Sequence, residues 1–443
     1  MERRSNAITE GVIWKQLLLF FFPILLGTFF QQLYNTADAA IVGNGVGKEA
    51  LAAVGGTTAN LINLLVGFFV GLSSGATVII SQFYGARDDD GVRKALHTSA
   101  AMALLFGAIL TALGLLTSGW LLRLMGTPSD VLPHAEAYIR IIYLGMIPSL
   151  IYNIGSGVLR ALGDSKRPLY FLIVACLTNI ALDALFVLAL GMGTAGAAFA
   201  TVLSQCISAL LIIRALLRRT NASRLSPREV RFDLPQLRRI ISIGLPAGLQ
   251  SVMYSLSNVI IQRAVNGFDT DILAGWTAYG KLDGLYWMTV SAFGIAVTTF
   301  VGQNYGAGRM DRVKKSVRDC TAMTVGATVV LSSVLYFFGG TFYRLFTSDP
   351  DVIEAGVHIL RLLVPFYICY IPIELLSGAL RGMGNTLVPT LMTLIGICLF
   401  RVIWVLLVAP AYHSIDMVLY SYPITWILTG ALFIFYYRSH RWA

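Results

Sequence analysis

Apolar stretches long enough to cross a bilayer recur along the chain from Trp14 to Tyr437, and this recurrence limits what the chain can fold into. A helix that crosses the hydrocarbon core needs about 20 mostly apolar residues. Only 13% of the residues are charged, against roughly 25% in soluble domains. Because a water-soluble protein could not bury so many apolar segments, we predict an all-α integral membrane protein.

The apolar segments predict twelve spans. Their approximate bounds are 15–42, 51–82, 92–119, 134–160, 168–190, 194–216, 237–265, 272–303, 313–340, 353–380, 386–409 and 415–437. If the N-terminus is cytoplasmic, most basic residues of the connections fall on the cytoplasmic side, including Arg3, Arg4, Arg93, Lys94 and Arg441. The positive-inside rule therefore predicts a multi-pass protein of the plasma membrane with both termini in the cytoplasm.

The net charge of +10 does not indicate a nucleic-acid partner. The basic residues lie between apolar runs and form no single basic face, so the lipid bilayer is the expected environment and no nucleic-acid partner is expected. No assembly domain is evident, which favours a monomer. No cofactor motif is present either, so H⁺ or Na⁺ is the only small ion that we expect the protein to use.

The chain contains an internal repeat with a constant offset of 221 positions. The sequence QFYGA at 82–86 recurs as QNYGA at 303–307, and GVLR at 157–160 recurs as GALR at 378–381. Two separate blocks that share one offset without a gap indicate a duplicated unit. Each unit contains six spans, an even number, so both have the same orientation and the axis relating them should run along the membrane normal.

A polar linker separates the two repeats. We predict an N-terminal six-helix lobe at 1–217, a cytoplasmic linker at 218–236 and a C-terminal six-helix lobe at 237–443. The linker is rich in arginine and contains two prolines, which is typical of a solvated connection facing the lipid surface. The two lobes are expected to enclose a cavity.

Two acids lie inside apolar segments of the first lobe. Gln31, Asn35 and Asp38 are spaced to form one polar stripe on the first span. Asn179 and Asp183 share a face of the fifth span. Since an ionisable group at the helix centre costs about 2.5–3.5 kcal/mol on insertion scales, such groups are functional candidates. The topology places both acids at a similar level in the outer half of the membrane.

Carboxylate, amide and hydroxyl oxygens are the hard ligands that a small alkali cation prefers, and carboxylates also carry protons. The acids and their neighbours could therefore form a site for Na⁺ or H⁺. The alternative is structural: Asp38 and Asp183 would then only hydrogen-bond neighbouring helices.

Five segments of the first half resemble the multidrug and toxic compound extrusion (MATE) family, in particular its mainly prokaryotic branch. They are ADAAIVG at 37–43, QFYGA at 82–86, LRALGD at 159–164, NIALD at 179–183 and GAAFAT at 196–201. Each is weak alone, but the ordered set is specific. The resemblance covers nearly the whole chain, and the loop motifs recur in order in the second half.

The resemblance implies a two-lobe antiporter that expels organic cations and drugs in exchange for Na⁺ or H⁺. In that branch the cation site combines an aspartate of the first helix, an Asn and an Asp of the fifth, and a Thr of the sixth. The matching residues are Asp38, Asn179, Asp183 and Thr201. The choice of Thr201 among several hydroxyls follows from the resemblance.

The second half does not repeat this chemistry. Asn179 and Asp183 correspond to Phe400 and Trp404, so coupling is expected in the first lobe. Gln31 and Asn35 are candidates for the substrate cavity, and the charged residues inside apolar segments of the second half extend that set to Lys281, Asp283, Glu374 and Arg401. Aromatic residues such as Tyr254, Tyr286 and Trp287 could offer cation–π surfaces, with ordinary packing as the alternative.

Pro23 interrupts the first span, on the same helix as Asp38. Because proline removes a backbone hydrogen bond and permits a kink, Pro23 is a candidate hinge. Cation binding near Asp38 would then change the bend of this helix. A static kink is the simpler alternative.

Two other functions fit a polytopic membrane protein. A lipid-linked oligosaccharide flippase of the same wider superfamily should need a basic cavity for pyrophosphate, whereas the first-lobe site is acidic. A membrane-embedded lipid enzyme should carry a catalytic motif, and the sequence contains neither His-Glu-x-x-His nor Gly-x-Ser-x-Gly. An efflux antiporter with no enzymatic activity is therefore the expected function.

Overall fold

In a computed structural model of the chain, residues 6–412 and 414–439 are described, and they are helical with no strand among them. The first six spans are Ile13–Gly45, Thr57–Ala86, Asp89–Leu124, the pair Leu132–Leu144 and Met146–Ala161, Lys166–Asp183, and Gly193–Leu217. The next four are Leu234–Val265, Thr270–Gly306, Met310–Tyr343, and the pair Pro350–Leu363 and Tyr367–Gly382. The eleventh runs in helical segments from Leu387 to Tyr412, and the twelfth is Ile415–Ser439. The all-helical prediction is confirmed.

Twelve spans are obtained when the fourth is counted as one bent helix. Eleven described helices are long and apolar enough to cross a membrane, and the twelfth is a pair that bends by 52° between Leu144 and Met146. The second span begins later than predicted, because Gly56 separates it from the short helix Lys48–Gly55. Arg3, Arg4 and Arg441, which entered the prediction of orientation, lie outside the described residues.

Two spans contain π-helical turns that the sequence did not indicate. The fifth span continues past Asp183 as the π-helix Ala184–Ala189. The eleventh contains the π-helices Leu394–Leu399 and Trp404–Val408. With the offset of 221, the turn after Asp183 corresponds to the turn that begins near Trp404, so the deviation is repeated. π-Helical turns are uncommon and occur frequently at functional sites.

The described chain divides into two compact units. The N-unit is Leu19–Gly248, and the C-unit contains the described residues up to Leu18 and those from Leu249 onward. The boundaries fall inside the first and seventh spans, so the start of each of these helices belongs to a different unit from its remainder. The lobe bounds of 1–217 and 237–443 stay a prediction.

Within the N-unit, small residues let the second and seventh spans approach closely. A Cβ added at Gly75 would lie only 2.2 Å from the carbonyl oxygen of Ile240, and one added at Gly244 only 2.0 Å from that of Leu72. Since real Cβ atoms do not come this near to a backbone oxygen, both positions require glycine. Small residues at such crossings are the usual means of close helix packing in membranes.

In each unit, hydrogen bonds also fix a short segment that precedes a spanning helix. In the C-unit, Arg309 donates to the Thr9 carbonyl at 2.7 Å, and Arg312 donates to the Ile8 and Gly11 carbonyls at 2.9 and 2.7 Å. The N-terminal residues are thereby fixed near the end of the eighth span.

In the N-unit the linker is fixed in a similar way. The Ser226 amide donates to His97 Nε2 at 3.0 Å, and the Asp233 amide donates to Thr98 Oγ1 at 3.1 Å. His97 Nδ1 lies 2.7 Å from the Arg93 carbonyl, which indicates the tautomer with hydrogen on Nδ1. The linker therefore packs against the third span of its own unit.

Candidate cation-coupling site and substrate cavity

Four polar side chains predicted to bind the coupling cation are buried in the N-unit. Asn179 and Asp183 are fully buried, Thr201 is 4% exposed and Asp38 is 5% exposed. We call these four residues the acidic cluster. They come from three helices, the first, fifth and sixth spans.

Asp38 of the first span lies near Asp183 of the fifth span. A side chain of the fifth span reaches the first span beyond the cluster, because a Cβ added at Gly45 would lie 2.6 Å from Leu188 Cδ2. Asp38 is also near enough to Asp183 to act on it electrostatically. The two carboxylates are therefore candidates for one shared site.

Two tyrosines that the sequence did not single out border the acidic cluster. Tyr34 lies near Thr201 and near both carboxylates. Tyr138, on the fourth span, is also near Asp38 and Asp183. Tyr34 lies one helical turn before Asp38, a spacing from which sequence reasoning could have identified it.

Polar atoms of the acidic cluster lack protein partners. Both carboxylate oxygens of Asp183, both amide atoms of Asn179 and Oδ1 of Asp38 are buried without a hydrogen bond to any described residue. A buried polar atom left unpaired is costly, and native structures rarely retain one without a reason. Oxygen atoms that are buried and unpaired can coordinate a small cation or take up a proton.

The donor set suits a small hard cation rather than a transition metal. No group of three or more His, Cys, Asp or Glu side chains that could hold a metal ion occurs among the described residues. Two carboxylates, one amide and one hydroxyl provide oxygen ligands, which Na⁺ accepts and which softer metals do not favour. The residues therefore fit the proposed Na⁺ or H⁺ site.

Other candidates of the first half are placed differently. Gln31 and Asn35 are exposed, although they share the helix of the buried Asp38, and Asn35 donates to Gln32 at 3.4 Å. Pro23 lies inside the continuous helix Ile13–Gly45. The seventh span also contains a proline, Pro246, so each repeat has one in its first helix.

The C-unit contains a cavity of about 500 Å³, a volume typical of pockets for drug-sized molecules. We call it the aromatic cavity, because half of its lining residues are Trp or Tyr. These are Tyr254, Trp276, Tyr279, Trp287, Tyr370, Tyr422 and Trp426. The sequence had suggested Tyr254 and Trp287 as cation–π surfaces, but it did not show that seven aromatic residues from several spans meet.

Two charged candidates line the aromatic cavity. Asp283 accepts hydrogen bonds from Trp287 Nε1 at 2.5 Å and from the Tyr367 hydroxyl at 2.6 Å. Arg401 is 4% exposed; its Nη2 donates to Thr425 Oγ1 at 2.9 Å, and its guanidinium lies 4.0 Å from the centre of the Tyr422 ring.

The other two charged candidates do not line this cavity. Glu374 accepts a 3.4 Å hydrogen bond from Tyr370, a lining residue, and is partly buried beside Gly294. Lys281 is exposed and is not among the lining residues. The structure thus brings Asp283 and Arg401 to one cavity and leaves Lys281 outside it.

The helical architecture, the twelve spans and the buried charged groups define a polytopic membrane transporter. The MatE family model matches residues 23–185 and again residues 246–407, once in each half of the chain. The chain belongs to the MatE family. The prediction of this family from five short sequence segments is confirmed. The match to both halves of the chain agrees with the internal repeat.

Curated relatives cover most of the chain. The probable multidrug resistance protein YpnP of Bacillus subtilis is 31% identical over 99% of this chain and 98% of its own length. The probable multidrug resistance protein NorM of Thermotoga maritima is 27% identical, over 87% of this chain and 83% of its own. A FAD transporter of Shewanella oneidensis is 25% identical, over 83% of this chain and 80% of its own.

Solved structures share the fold. A MOP superfamily transporter from Pyrococcus furiosus matches with a TM-score of 0.91 at 23% identity, covering 99% of this chain and 98% of that one. A structure described as MATE in the bent conformation matches with a TM-score of 0.90 at 23% identity, over 97% of this chain and 96% of that one. At this identity the likeness concerns the fold alone.

Proposed function

We propose that the protein is a secondary active efflux antiporter that exports organic small molecules in exchange for H⁺ or Na⁺. The observation that carries the proposal is the acidic cluster, in which buried oxygen atoms of Asp38 and Asp183 have no protein partner in the described chain. The names of the multidrug resistance relatives support small-molecule substrates, and the resemblance to the MATE family implies that these are organic cations.

Coupling follows from the cost of the unpaired charges. Two carboxylates inside the membrane repel each other and lack solvation, so the cluster is stabilised when a small cation or a proton binds. If the two conformations of an alternating-access cycle differ in their affinity for that ion, ion binding shifts their populations. An inward-moving ion can thus reset the transporter after it has released substrate outside.

We also propose that Pro23 is the hinge through which ion binding at the cluster changes the bend of the first span. Pro23 and Asp38 lie on one helix, Ile13–Gly45, and a proline inside a helix removes one backbone hydrogen bond. Cation binding at Asp38 would then alter the bend at Pro23. Structures with and without the coupling ion that show the same helix geometry would contradict this step.

The proposal includes an orientation. Both termini lie in the cytoplasm, the protein is a monomer of the plasma membrane, and substrate enters from the cytoplasm or the inner leaflet. The distribution of basic residues supports this orientation. Accessibility of tags at the two termini in intact cells tests it.

Transport by the purified protein in lipid vesicles tests the function. A fluorescent organic cation is loaded, and an inward Na⁺ gradient or an inward proton gradient is imposed in separate arms. Wild type is expected to export the dye with one of the two gradients. The Asp38→Asn and Asp183→Asn variants should lose this response, because asparagine keeps the size of the side chain but lacks the negative charge that binds a cation or a proton.

Asp130→Asn is the matched control, since Asp130 is an exposed acid of the same unit. It should transport as wild type does. Export by both cluster variants at the wild-type rate would contradict the proposal. Movement of a labelled lipid-linked sugar, with no dye export under either gradient, would instead support the flippase.

A further inference from the structure

Arg401 is a buried cation with no anionic partner among the described residues. It lies near the middle of the eleventh span and is 4% exposed. Its polar contact is with the neutral Thr425 hydroxyl, its guanidinium stacks on Tyr422, and its Nε has no hydrogen bond to any residue in the described ranges. A guanidinium carries five N–H donors, so most of its capacity is unused by these contacts.

The two acids that lie well inside spans of the same unit are engaged elsewhere. Asp283 is held by Trp287 and Tyr367, and Glu374 by Tyr370. Neither forms an ion pair with Arg401, and no carboxylate of residues 6–412 and 414–439 lies within salt-bridge distance of it. Charged residues inside membranes normally face a partner or a cavity, and Arg401 faces the aromatic cavity.

The rest of the cavity wall is suited to contact with flat aromatic molecules. Trp287 and Tyr370 meet edge to face with ring centres 4.7 Å apart, and Tyr422 and Trp426 do so at 5.7 Å. Such walls offer both ring faces and ring edges to a planar ligand. Asp283, on another part of the wall, can accept a hydrogen bond from a cationic group.

We propose that the aromatic cavity binds planar aromatic compounds that carry an anionic group, and that Arg401 recognises that group. Aromatic zwitterions fit best, with the anionic group on the Arg401 guanidinium and the cationic group facing Asp283. Arginine is suited to this task because its planar donors match a carboxylate or a phosphate in a bidentate arrangement. Binding of such a ligand at Arg401 does not require the proposed export activity. Only its biological role, recognition of a molecule to be exported, rests on that proposed function.

Equilibrium binding of a matched pair of dyes tests the proposal. The probes are a rhodamine with a free carboxylate, which is zwitterionic, and the methyl ester of the same dye, which is cationic. Binding to the purified full-length protein in lipid nanodiscs is followed by fluorescence anisotropy. Wild type is expected to bind the carboxylate form roughly tenfold more tightly than the ester, the effect of one charged hydrogen-bonded contact.

Substitution of Arg401 then assigns the preference to this residue. Arg401→Gln keeps a donor for Thr425 but removes the charge, and the carboxylate preference should disappear. Arg401→Lys keeps the charge without the planar donors, and a reduced preference should remain. Arg361→Gln removes an exposed arginine of the same unit as the matched control and should preserve the wild-type preference.

Three results would overturn the proposal: equal binding of the two dyes by wild type, persistence of the preference in Arg401→Gln, or its complete loss in folded Arg401→Lys. The first and third can be read even if Arg401→Gln does not fold. A purely structural role of Arg401 predicts lower thermal stability with no dye preference in wild type.

The proposed antiport and the proposed role of Arg401 can be contradicted independently of each other. The dye measurement is made at equilibrium without any ion gradient, so a protein that does not export against a gradient can still show the carboxylate preference. Conversely, gradient-driven export with equal affinity for both dyes would remove the role of Arg401 and leave the antiporter intact.

Discussion

The fifth and sixth spans of the N-unit and their counterparts in the C-unit present opposite chemistry on a repeated framework. With the offset of 221, Ile180 corresponds to Arg401, and Thr201 corresponds to Tyr422, whose ring lies against the Arg401 guanidinium. In the N-unit these two spans bury oxygen atoms of Asn179, Asp183 and Thr201 that are unpaired in the described chain, whereas in the C-unit their counterparts bury an arginine beside aromatic rings.

This difference shows that the two halves share a backbone feature while the side chains at corresponding positions differ in chemistry. The π-helical turn after Asp183 has a counterpart that begins at Trp404, so both units keep the same local irregularity. Only a few substitutions at corresponding positions then make one unit suited to a small cation and the other to an aromatic ligand.

The largest effect is expected from a crossed pair of substitutions. Asp183→Asn should reduce gradient-driven export to the level of protein-free vesicles but keep the carboxylate preference in dye binding. Arg401→Gln should lose that preference. Both variants are measured in both assays. If each substitution impaired both properties equally, the division of tasks between the units would be wrong.

Transplanting the arginine should also have a large effect. In Ile180→Arg, a guanidinium would lie one helical turn from Asp183, as an i, i+3 neighbour, and compete with the coupling ion. Export should then lose its response to the Na⁺ or proton gradient. Ile180→Gln, which is polar but uncharged, is the control and should respond more strongly than Ile180→Arg. An Arg variant that responds as the Gln variant does would show that Ile180 does not face the cluster.

A moderate effect is expected when the hydroxyl of the acidic cluster is removed. Thr201→Val keeps the shape of the side chain but deletes one oxygen ligand, and the affinity for the coupling ion should fall roughly tenfold, equivalent to about 1.4 kcal/mol. The concentration of Na⁺ or H⁺ that gives half-maximal export measures this change. Thr194→Val, at another buried threonine of the same helix, is the matched control. Equal shifts in the two variants would exclude a specific role for Thr201.

The smallest effect concerns the linker contact of the N-unit. His97→Ala removes the acceptor of the Ser226 amide and should weaken linker docking by about 1 kcal/mol. Trypsin should then cleave the arginine-rich linker roughly fivefold faster, if cleavage follows the undocked population. His134→Ala serves as the control histidine variant. Cleavage at the same rate in both would show that the His97 contact does not hold the linker.

Hydropathy and the repeat were sufficient to predict the fold. Inside the bilayer each spanning segment must form its backbone hydrogen bonds within itself, and a helix does this. Hydropathy and the repeat could not predict the 52° bend beside Gly145 or the π-helical turns, since these depend on packing between helices. The start of the second span was also misplaced, because the Gly-Gly pair at Gly55 and Gly56 inside the predicted span 51–82 was not read as a helix break.

The two sites were predictable to different degrees. Asp38 and Asp183 stand out because acids are rare in apolar segments, and periodicity assigned them to helix faces. The same periodicity grouped Gln31 with Asp38, yet Gln31 is exposed. A polar stripe in the sequence does not show which of its residues neighbouring helices bury. The aromatic cavity was missed because Trp and Tyr are ordinary in membrane helices, and only the packing of several spans brings them together around Arg401.

The most direct test of the central claim is the equilibrium binding of the coupling ion to the purified protein, measured as Na⁺ uptake and as proton uptake. The account predicts that wild type binds one of these ions and that a variant combining Asp38→Asn with Asp183→Asn does not. Equal binding by wild type and by this double variant would contradict it.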